Sequence, residues 1–387
     1  MKTVLYIFSI ILITHLFADL NANSVQGHRQ ASLVSARIAD AYNEHIEIVK
    51  KRSARQAPKP PGPGPAPKST AKPTPTTTSA PRTTVQAKFC PFNPSLSCST
   101  SNKYQTFDGT CNNLVNPLYG AMNTPYKRYI APAYGDANNS PRSLSVSGAQ
   151  LPNPRVISRS ILKDQFALER RWFHLFASFG QFMVHDITSL AASSDSNGIP
   201  LSCPCTSTNP NCLNIAIPST DTAMGSQKCI QFTRSSPSFQ SVDCVNQTYR
   251  EQLNQLSSFF DCSQIYGSSV AASKSLRSFS KGQLLTSAGL SSTFNYLKKS
   301  TTDQCSTDAN PALKCFQAGE SRTNENLGLS SVHTLFLREH NRIALQLSTL
   351  NPSWTDETLF YETRRIIQAV YQHIIYSDWI PSTIGGK

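Results

Sequence analysis

A helix that is apolar on every side has nowhere to go but the centre of a fold. Residues 161–190 read as such a helix: Leu162, Phe166, Trp172, Phe173, Phe176, Phe179, Phe182, Met183 and Val184 leave no clean polar face. Near its end it carries three polar residues, Gln181, His185 and Asp186. An imidazole in an apolar setting is ordinarily a packed core residue, and His174, eleven positions earlier and without an accompanying motif, is expected to be one. Further helices are predicted over 249–260, from about Ser331 to Leu350 before Asn351-Pro352, and from about Thr355 to a point before Pro381. The acidic Asp356 and Glu357 suit the positive end of that last helix. Strand signals are few, so the fold class is mainly α.

The chain is not uniform along its 387 residues. Residues 1–22 read as a secretory signal, with Lys2, an apolar run from Val4 to Leu12, and small residues at Ala18 and Ala22. Thr14, His15 and Asp19 interrupt that run before it could span a membrane, and no later stretch is long enough to do so. Residues 23–56 read as a pro-segment. Within it an amphipathic helix is predicted over 29–52, ending at a basic Lys50-Lys51-Arg52 processing site. Residues 57–87 hold 9 of the 25 prolines, 7 threonines and no acidic residue. Such a composition buries no core and forms an extended linker. The folded domain is expected over 88–387.

Charge and cysteines narrow the function classes. The net charge is +13, but residues 1–89 carry 12 Lys/Arg against 4 Asp/Glu, so most of the excess precedes the folded domain. No clustered basic face remains for a nucleic-acid partner. All 11 cysteines lie from Cys90 onward, with spacings that suit disulfides of an oxidising compartment and not zinc. Eleven is odd, so one thiol is free or pairs outside the chain. The sequons Asn138-Asn139-Ser140 and Asn246-Gln247-Thr248 accord with secretion. There is no Gly-x-Ser-x-Gly elbow, no phosphate-binding Gly-Lys-Ser/Thr loop and no Gly-x-Gly-x-x-Gly turn.

Five blocks then occur in order. They are Thr110-Cys111-Asn112-Asn113; Gln181 to Thr188; Ser258-Phe259-Phe260-Asp261-Cys262-Ser263-Gln264-Ile265-Tyr266-Gly267-Ser268; Ala318-Gly319-Glu320-Ser321-Arg322-Thr323-Asn324-Glu325; and His333-Thr334-Leu335-Phe336-Leu337-Arg338-Glu339-His340-Asn341-Arg342. Through these blocks residues 103–387 resemble the first half of the catalytic domain of the animal haem peroxidases, the superfamily of myeloperoxidase and peroxidasin. The resemblance implies haem b as cofactor, hydrogen peroxide as oxidant and a small electron donor, such as a halide, a phenol or a tyrosine side chain. Extracellular matrix proteins are possible substrates. His185 would move the peroxide proton, Arg322 would stabilise charge as the O–O bond breaks, and Gln181 would face the distal water. Asp186, Ser257, Phe259, Asp261 and Ser263 map onto a Ca²⁺ site of hard oxygen donors.

Two departures from the family pattern carry consequences. Glu325 stands where a glutamate forms an ester to haem, but the matching aspartate position is Val184, so at most one ester is expected. Asn326 occupies the position of a haem-linked methionine in myeloperoxidase, which excludes that bond too. The family's iron-ligating histidine lies well past the distal arginine. Only 65 residues follow Arg322 here, and His333, His340 and His373 do not sit in its motif. His333 and His340 are therefore expected to pack and hydrogen-bond. The chain reads as an incomplete catalytic domain of a secreted peroxidase. The competing readings are a truncated, non-catalytic interaction or decoy protein and a calcium-stabilised matrix module.

Overall fold

The computed structural model describes residues 98–385, apart from 100, 127, 163–171, 196, 241–245, 292–293 and 302–313. The signal, pro-segment and linker predicted above lie outside the described residues. Seven α-helices are described: α1 Pro154–Ile161, α2 His174–Ile187, α3 Ser263–Tyr266, α4 Val270–Leu276, α5 Leu327–Leu350, α6 Asp356–Ile374 and α7 Ile380–Ile384. Eight short strands form three small sheets. β1 (Thr124–Pro125), β5 (Asn246–Asn254) and β4 (Pro237–Gln240) pair in that order, β2 (Ile215–Ala216) pairs with β3 (Cys229–Ile230), and β6 (Thr286–Ser291), β7 (Phe294–Lys299) and β8 (Phe316–Gln317) form the third. All the pairings are antiparallel. The mainly α expectation holds.

α2, α5 and α6 build the core. On α6 the buried positions Leu359, Phe360, Thr363, Ile367, Tyr371 and Ile374 recur at helical spacing, and on α5 so do Leu329, Val332, Phe336, Ile343 and Ala344. α5 packs between the other two. Where the three meet, Phe182 stacks on Phe336 at 5.0 Å, and Tyr371 presents its edge to Phe179, Phe182 and Phe336 at 5.8–6.0 Å. Local chemistry sets the helix starts. Asn326 caps α5 by accepting from the Leu329 N–H at 2.9 Å, and Thr355 caps α6 through the Thr358 N–H at 3.2 Å. Asp356 and Glu357 sit in the first turn of α6 and also hold the buried Arg277, each at 2.7 Å.

Four sequence expectations are corrected. The predicted helix over 249–260 is strand β5 to Asn254: it pairs with β1 and β4, Glu251 also holds Arg128 of the loop after β1 at 2.6 Å, and this pairing overrides local preference. α2 begins at His174, and α1 is a separate helix started by Asn153 and Pro154. α2 is also not closed on all sides, since Phe173, Ala177 and Val184 share one accessible face. His174 is exposed at its first turn rather than packed in the core. α6 itself ends at Ile374, before Pro381 as expected, and a π-turn over Ile375–Trp379 leads into α7, which takes the proline in its first turn.

Disulfides Cys98–Cys111, Cys203–Cys212 and Cys205–Cys229 staple the loops, and Cys315 is disulfide-bonded as well. The free thiol among the described residues is Cys262, wholly buried. Replacing Phe182 with alanine empties the meeting point of α2, α5 and α6. We expect a loss of about 3–5 kcal/mol in unfolding free energy, read from denaturant titration of the full chain.

Candidate active site

His185 sits in the last turn of α2 and is 6% exposed. Its Nδ1 lies 3.1 Å from Glu320 Oε1. The other oxygen of that carboxylate accepts from Arg322 Nε at 2.7 Å. Arg322 Nη2 donates to the backbone carbonyls of His185 at 3.3 Å and Thr188 at 3.0 Å. These carbonyls belong to the helix end, where intrahelical partners run out and a cation is favoured. Nη1 of Arg322 has no partner among the described residues. Burial pushes the Glu320 carboxyl up, but the His185 hydrogen bond and the Arg322 guanidinium outweigh it and hold Glu320 below the usual carboxylate range.

Backbone packing fixes these groups. Arg322 lies in a 3₁₀ turn, Ser321–Asn324. Just before it, a Cβ on Gly319 would fall 2.2 Å from the Ser263 carbonyl oxygen and 2.4 Å from the Gly267 nitrogen, so only glycine fits. The Gly319 N–H donates to the Gln264 carbonyl at 3.0 Å. Gln264 in turn donates to the Phe182 carbonyl at 3.3 Å and the Tyr371 hydroxyl at 3.1 Å, tying α3 to α2 and α6. The turn holding Glu320 and Arg322 is therefore seated on the same core that positions His185.

The other side of the imidazole is open. His185 Nε2 is 3.8 Å from Glu325 Oε2, beyond hydrogen-bond reach. Glu325 is 47% exposed and accepts from Gln181 Nε2 at 2.8 Å. Gln181 Oε1 accepts from Asn326 Nδ2 at 2.8 Å, so Asn326 both caps α5 and holds the glutamine. Val184, 43% exposed, contributes an apolar neighbour on the same open face of α2. An uncommitted imidazole nitrogen, a guanidinium with a free donor, a carboxylate at the rim and an apolar floor fit the distal side of a haem.

Asp186 points the other way, into the interior. Its Oδ1 accepts from the Ser263 N–H at 2.6 Å and its Oδ2 from the Cys262 N–H at 3.1 Å. Ser263 Oγ lies 2.6 Å from Oδ1 and 2.9 Å from the Asp186 carbonyl. Ser257 Oγ donates to Asp261 Oδ2 at 2.8 Å, while Asp261 Oδ1 is buried without a partner. The Phe259 ring fills the space beside Gly120, which anchors the loop. Burial and the nearby Asp261 charge push Asp186 well above its ordinary value, and burial pushes Asp261 up to about 6. Two buried carboxylates with an orphaned oxygen would be satisfied by a proton or by a hard cation. The described residues hold no cluster of three His, Cys, Asp or Glu, so hydroxyls and carbonyls would have to complete the coordination.

His185, Gln181, Arg322 and Glu325 thus come together, and Asp186, Ser257, Asp261 and Ser263 form a second group one residue away. Sequence reasoning missed Glu320. Its only signal was its place two residues before Arg322, which lets one carboxylate reach both that side chain and the α2 imidazole. His340 fulfils its expectation, meeting the Tyr266 hydroxyl at 2.8 Å and the Gly282 carbonyl at 2.9 Å. His333 packs edge-on against Phe182 at 4.8 Å, but neither ring nitrogen has a hydrogen-bond partner, and burial pushes it down to about 3. It is a neutral core ring.

Comparison with known proteins gives the family and the fold. The family model described as animal haem peroxidase matches residues 104–387. A human protein named peroxidasin homolog is 38% identical over 302 residues, covering 73% of this chain and 20% of that protein. A chorion peroxidase of Aedes aegypti is 34% identical over 310 residues, covering 76% of this chain and 38% of that one. Among solved structures, peroxidase A from Dictyostelium discoideum aligns with a TM-score of 0.60 and 28% identity, covering 74% of this chain and 54% of that chain. A fatty acid alpha-dioxygenase of Arabidopsis thaliana, at TM-score 0.56 and 20% identity, shares the fold. The chain spans about a fifth of the length of the human peroxidasin homolog.

The buried acid pair makes stability depend on pH in a definite direction. A carboxyl whose folded value is raised favours the protonated fold, a contribution complete below the ordinary carboxylate value and lost as pH rises through the folded value. In chelator, Tm should fall as pH rises from about 4 to about 6, the window between the ordinary carboxylate range and the Asp261 value of about 6. Saturating Ca²⁺ should remove that fall and stabilise the neutral-pH form by about 2.7 kcal/mol at a hundredfold excess over Kd. Thermal melts with and without calcium check both, and Asp261→Asn should abolish the calcium response.

Proposed function

Because this chain belongs to the animal haem peroxidase family, we propose that it supplies the distal wall of a secreted haem peroxidase that reduces hydrogen peroxide and oxidises small donors. The single observation that carries this reading is the His185–Glu320–Arg322 cluster opening toward Glu325. Haem, when bound, supplies the iron that takes up peroxide and the electrons that cleave its O–O bond.

The chain's own residues manage protons and charge. His185 Nε2 takes the proton from one peroxide oxygen and returns it to the departing one, a role that needs an uncommitted nitrogen with balanced proton affinity. Arg322 cannot lose its proton, and its free Nη1 is the donor left for the charge that develops on oxygen. Gln181 is locked between Glu325 and Asn326 at the rim, where it would face the distal water. Glu325 is the residue that would bond covalently to haem. Val184 has no carboxyl and Asn326 no sulfur, so one ester is the most this chain can make. Ca²⁺ held by Asp186, Ser257, Phe259, Asp261 and Ser263 would neutralise the buried acids and clamp the end of α2 to the loop before α3.

Secretion is supported by the disulfides, by the exposed Asn138 of its sequon, and by the name of the chorion peroxidase relative. Among the described residues no helix is long and apolar enough to cross a membrane. The donors that fit the family are halides, phenols and tyrosine side chains, including those of matrix proteins.

Stopped-flow measurement of peroxide consumption by the haem-loaded full-length protein tests the roles. Arg322→Ala should slow peroxide cleavage by about 10²–10³-fold and His185→Ala by about 10²–10⁴-fold, with donor affinity little changed. Equal losses in cleavage and donor binding would sink the assignment to Arg322. Denaturing chromatography tests the single link: haem should stay with the wild-type chain and separate from Glu325→Gln.

A further inference from the structure

Glu320 is 3% exposed and spends its two oxygens on two different partners, Oε1 on His185 Nδ1 and Oε2 on Arg322 Nε. An ionised carboxylate can only accept hydrogen bonds, and a guanidinium can only donate them. Arg322 therefore forces Glu320 Oε2 to act as acceptor, and the carboxyl, held below its usual range beside the guanidinium, has no proton to give at Oε1. The hydrogen of the 3.1 Å contact must come from the imidazole. We infer that Glu320 is a positioning residue that holds neutral His185 in its Nδ1–H form, leaving Nε2 bare on the side that faces Glu325.

Three further observations make this selection strict. Nε2 makes no hydrogen bond among the described residues: the Glu325 carboxylate is 3.8 Å away, beyond hydrogen-bond reach. The Glu320 backbone cannot drift, because Gly319 is wedged against α3, and the Glu320 carbonyl accepts from Thr323 Oγ1 at 2.9 Å. The neighbouring His333 offers no competing bond, since neither of its ring nitrogens has a partner. The same carboxylate also sets the rotation of the guanidinium: with Nε on Glu320 and Nη2 on the α2 carbonyls, Nη1 is the donor left over. One buried acid thus aims both the base and the charge-stabilising donor.

The functional consequence rests on the peroxidase reading above; the tautomer does not. Glu320→Gln separates them. Arg322 Nε demands the amide oxygen, which turns the amide NH₂ toward His185 Nδ1. That nitrogen must then accept, and the imidazole proton moves to Nε2, the atom that has to receive the peroxide proton. The test is ¹⁵N NMR of the full chain labelled at histidine, at about pH 8, above the ordinary histidine range, where neither haem nor peroxide is needed. We expect His185 to show a protonated Nδ1 and a bare Nε2 in the wild type, and the reverse in Glu320→Gln. In the haem-loaded protein the same substitution should slow peroxide cleavage on the order of 10⁴-fold, the loss found when a tautomer-setting carboxylate becomes an amide in a serine protease.

A wild-type chain with its proton on Nε2 overturns the inference, even if Glu320→Gln fails to fold. So does a folded Glu320→Gln whose His185 keeps its proton on Nδ1. Absence of peroxide turnover in the loaded wild type would instead sink the peroxidase reading and leave the tautomer result standing.

Discussion

Asp186 is wholly buried, and the fold closes around the bonds it accepts. Three hydrogen bonds from Cys262 and Ser263 bring the end of α2 against the start of α3. From that seam the rest follows. α3 offers the Gln264 carbonyl to Gly319, which seats the turn carrying Glu320 and Arg322. Asp186 is also next to His185 in sequence, so the residue that anchors the helix and the residue that faces the open side are successive positions pointing in opposite directions. The arrangement carries an electrostatic cost, because Asp186 and Asp261 share a site with little water. A divalent cation would convert that repulsion into the strongest bond in the seam.

Much of this was legible before the structure. The ordered blocks that resemble the animal haem peroxidases marked His185, Arg322, Glu325 and the 257–263 loop, and neither spacing nor composition would have done so alone. What could not be read was any interaction whose partners are remote and individually ordinary. Glu320 is a plain acidic residue until the fold sets it between an imidazole 135 positions away and a guanidinium two positions on. Strand β5 was missed for a related reason. Its polar run has no apolar alternation to announce a strand, and it is held by β1, β4 and the Arg128–Glu251 pair, which arrive from elsewhere in the chain. The open face of α2 was misjudged because Phe173, Ala177 and Val184 are apolar yet remain accessible, which composition cannot distinguish from burial.

The two faces of the helix end divide the chemistry between them. On the interior side, acids are crowded together and pushed toward protonation. On the open side, an acid is kept ionised by a guanidinium and an imidazole. Burial raises both Asp261 and Glu320, and the imidazole and guanidinium beside Glu320 reverse the direction there. A single turn of helix thus separates a site tuned for a metal ion from one tuned for moving protons.

The π-turn at Ile375–Trp379 has a consequence for biosynthesis. It delivers the Trp379 indole to Gly180, where a Cβ would lie 2.7 Å from the ring, and its Nε1 donates to the Phe176 carbonyl at 3.1 Å. The two halves of that contact are 203 residues apart. At translation rates of about 5–20 residues per second, roughly 10–40 s separate their synthesis. Throughout that interval Phe176 and Gly180 of α2 lack the Trp379 ring that later packs on them.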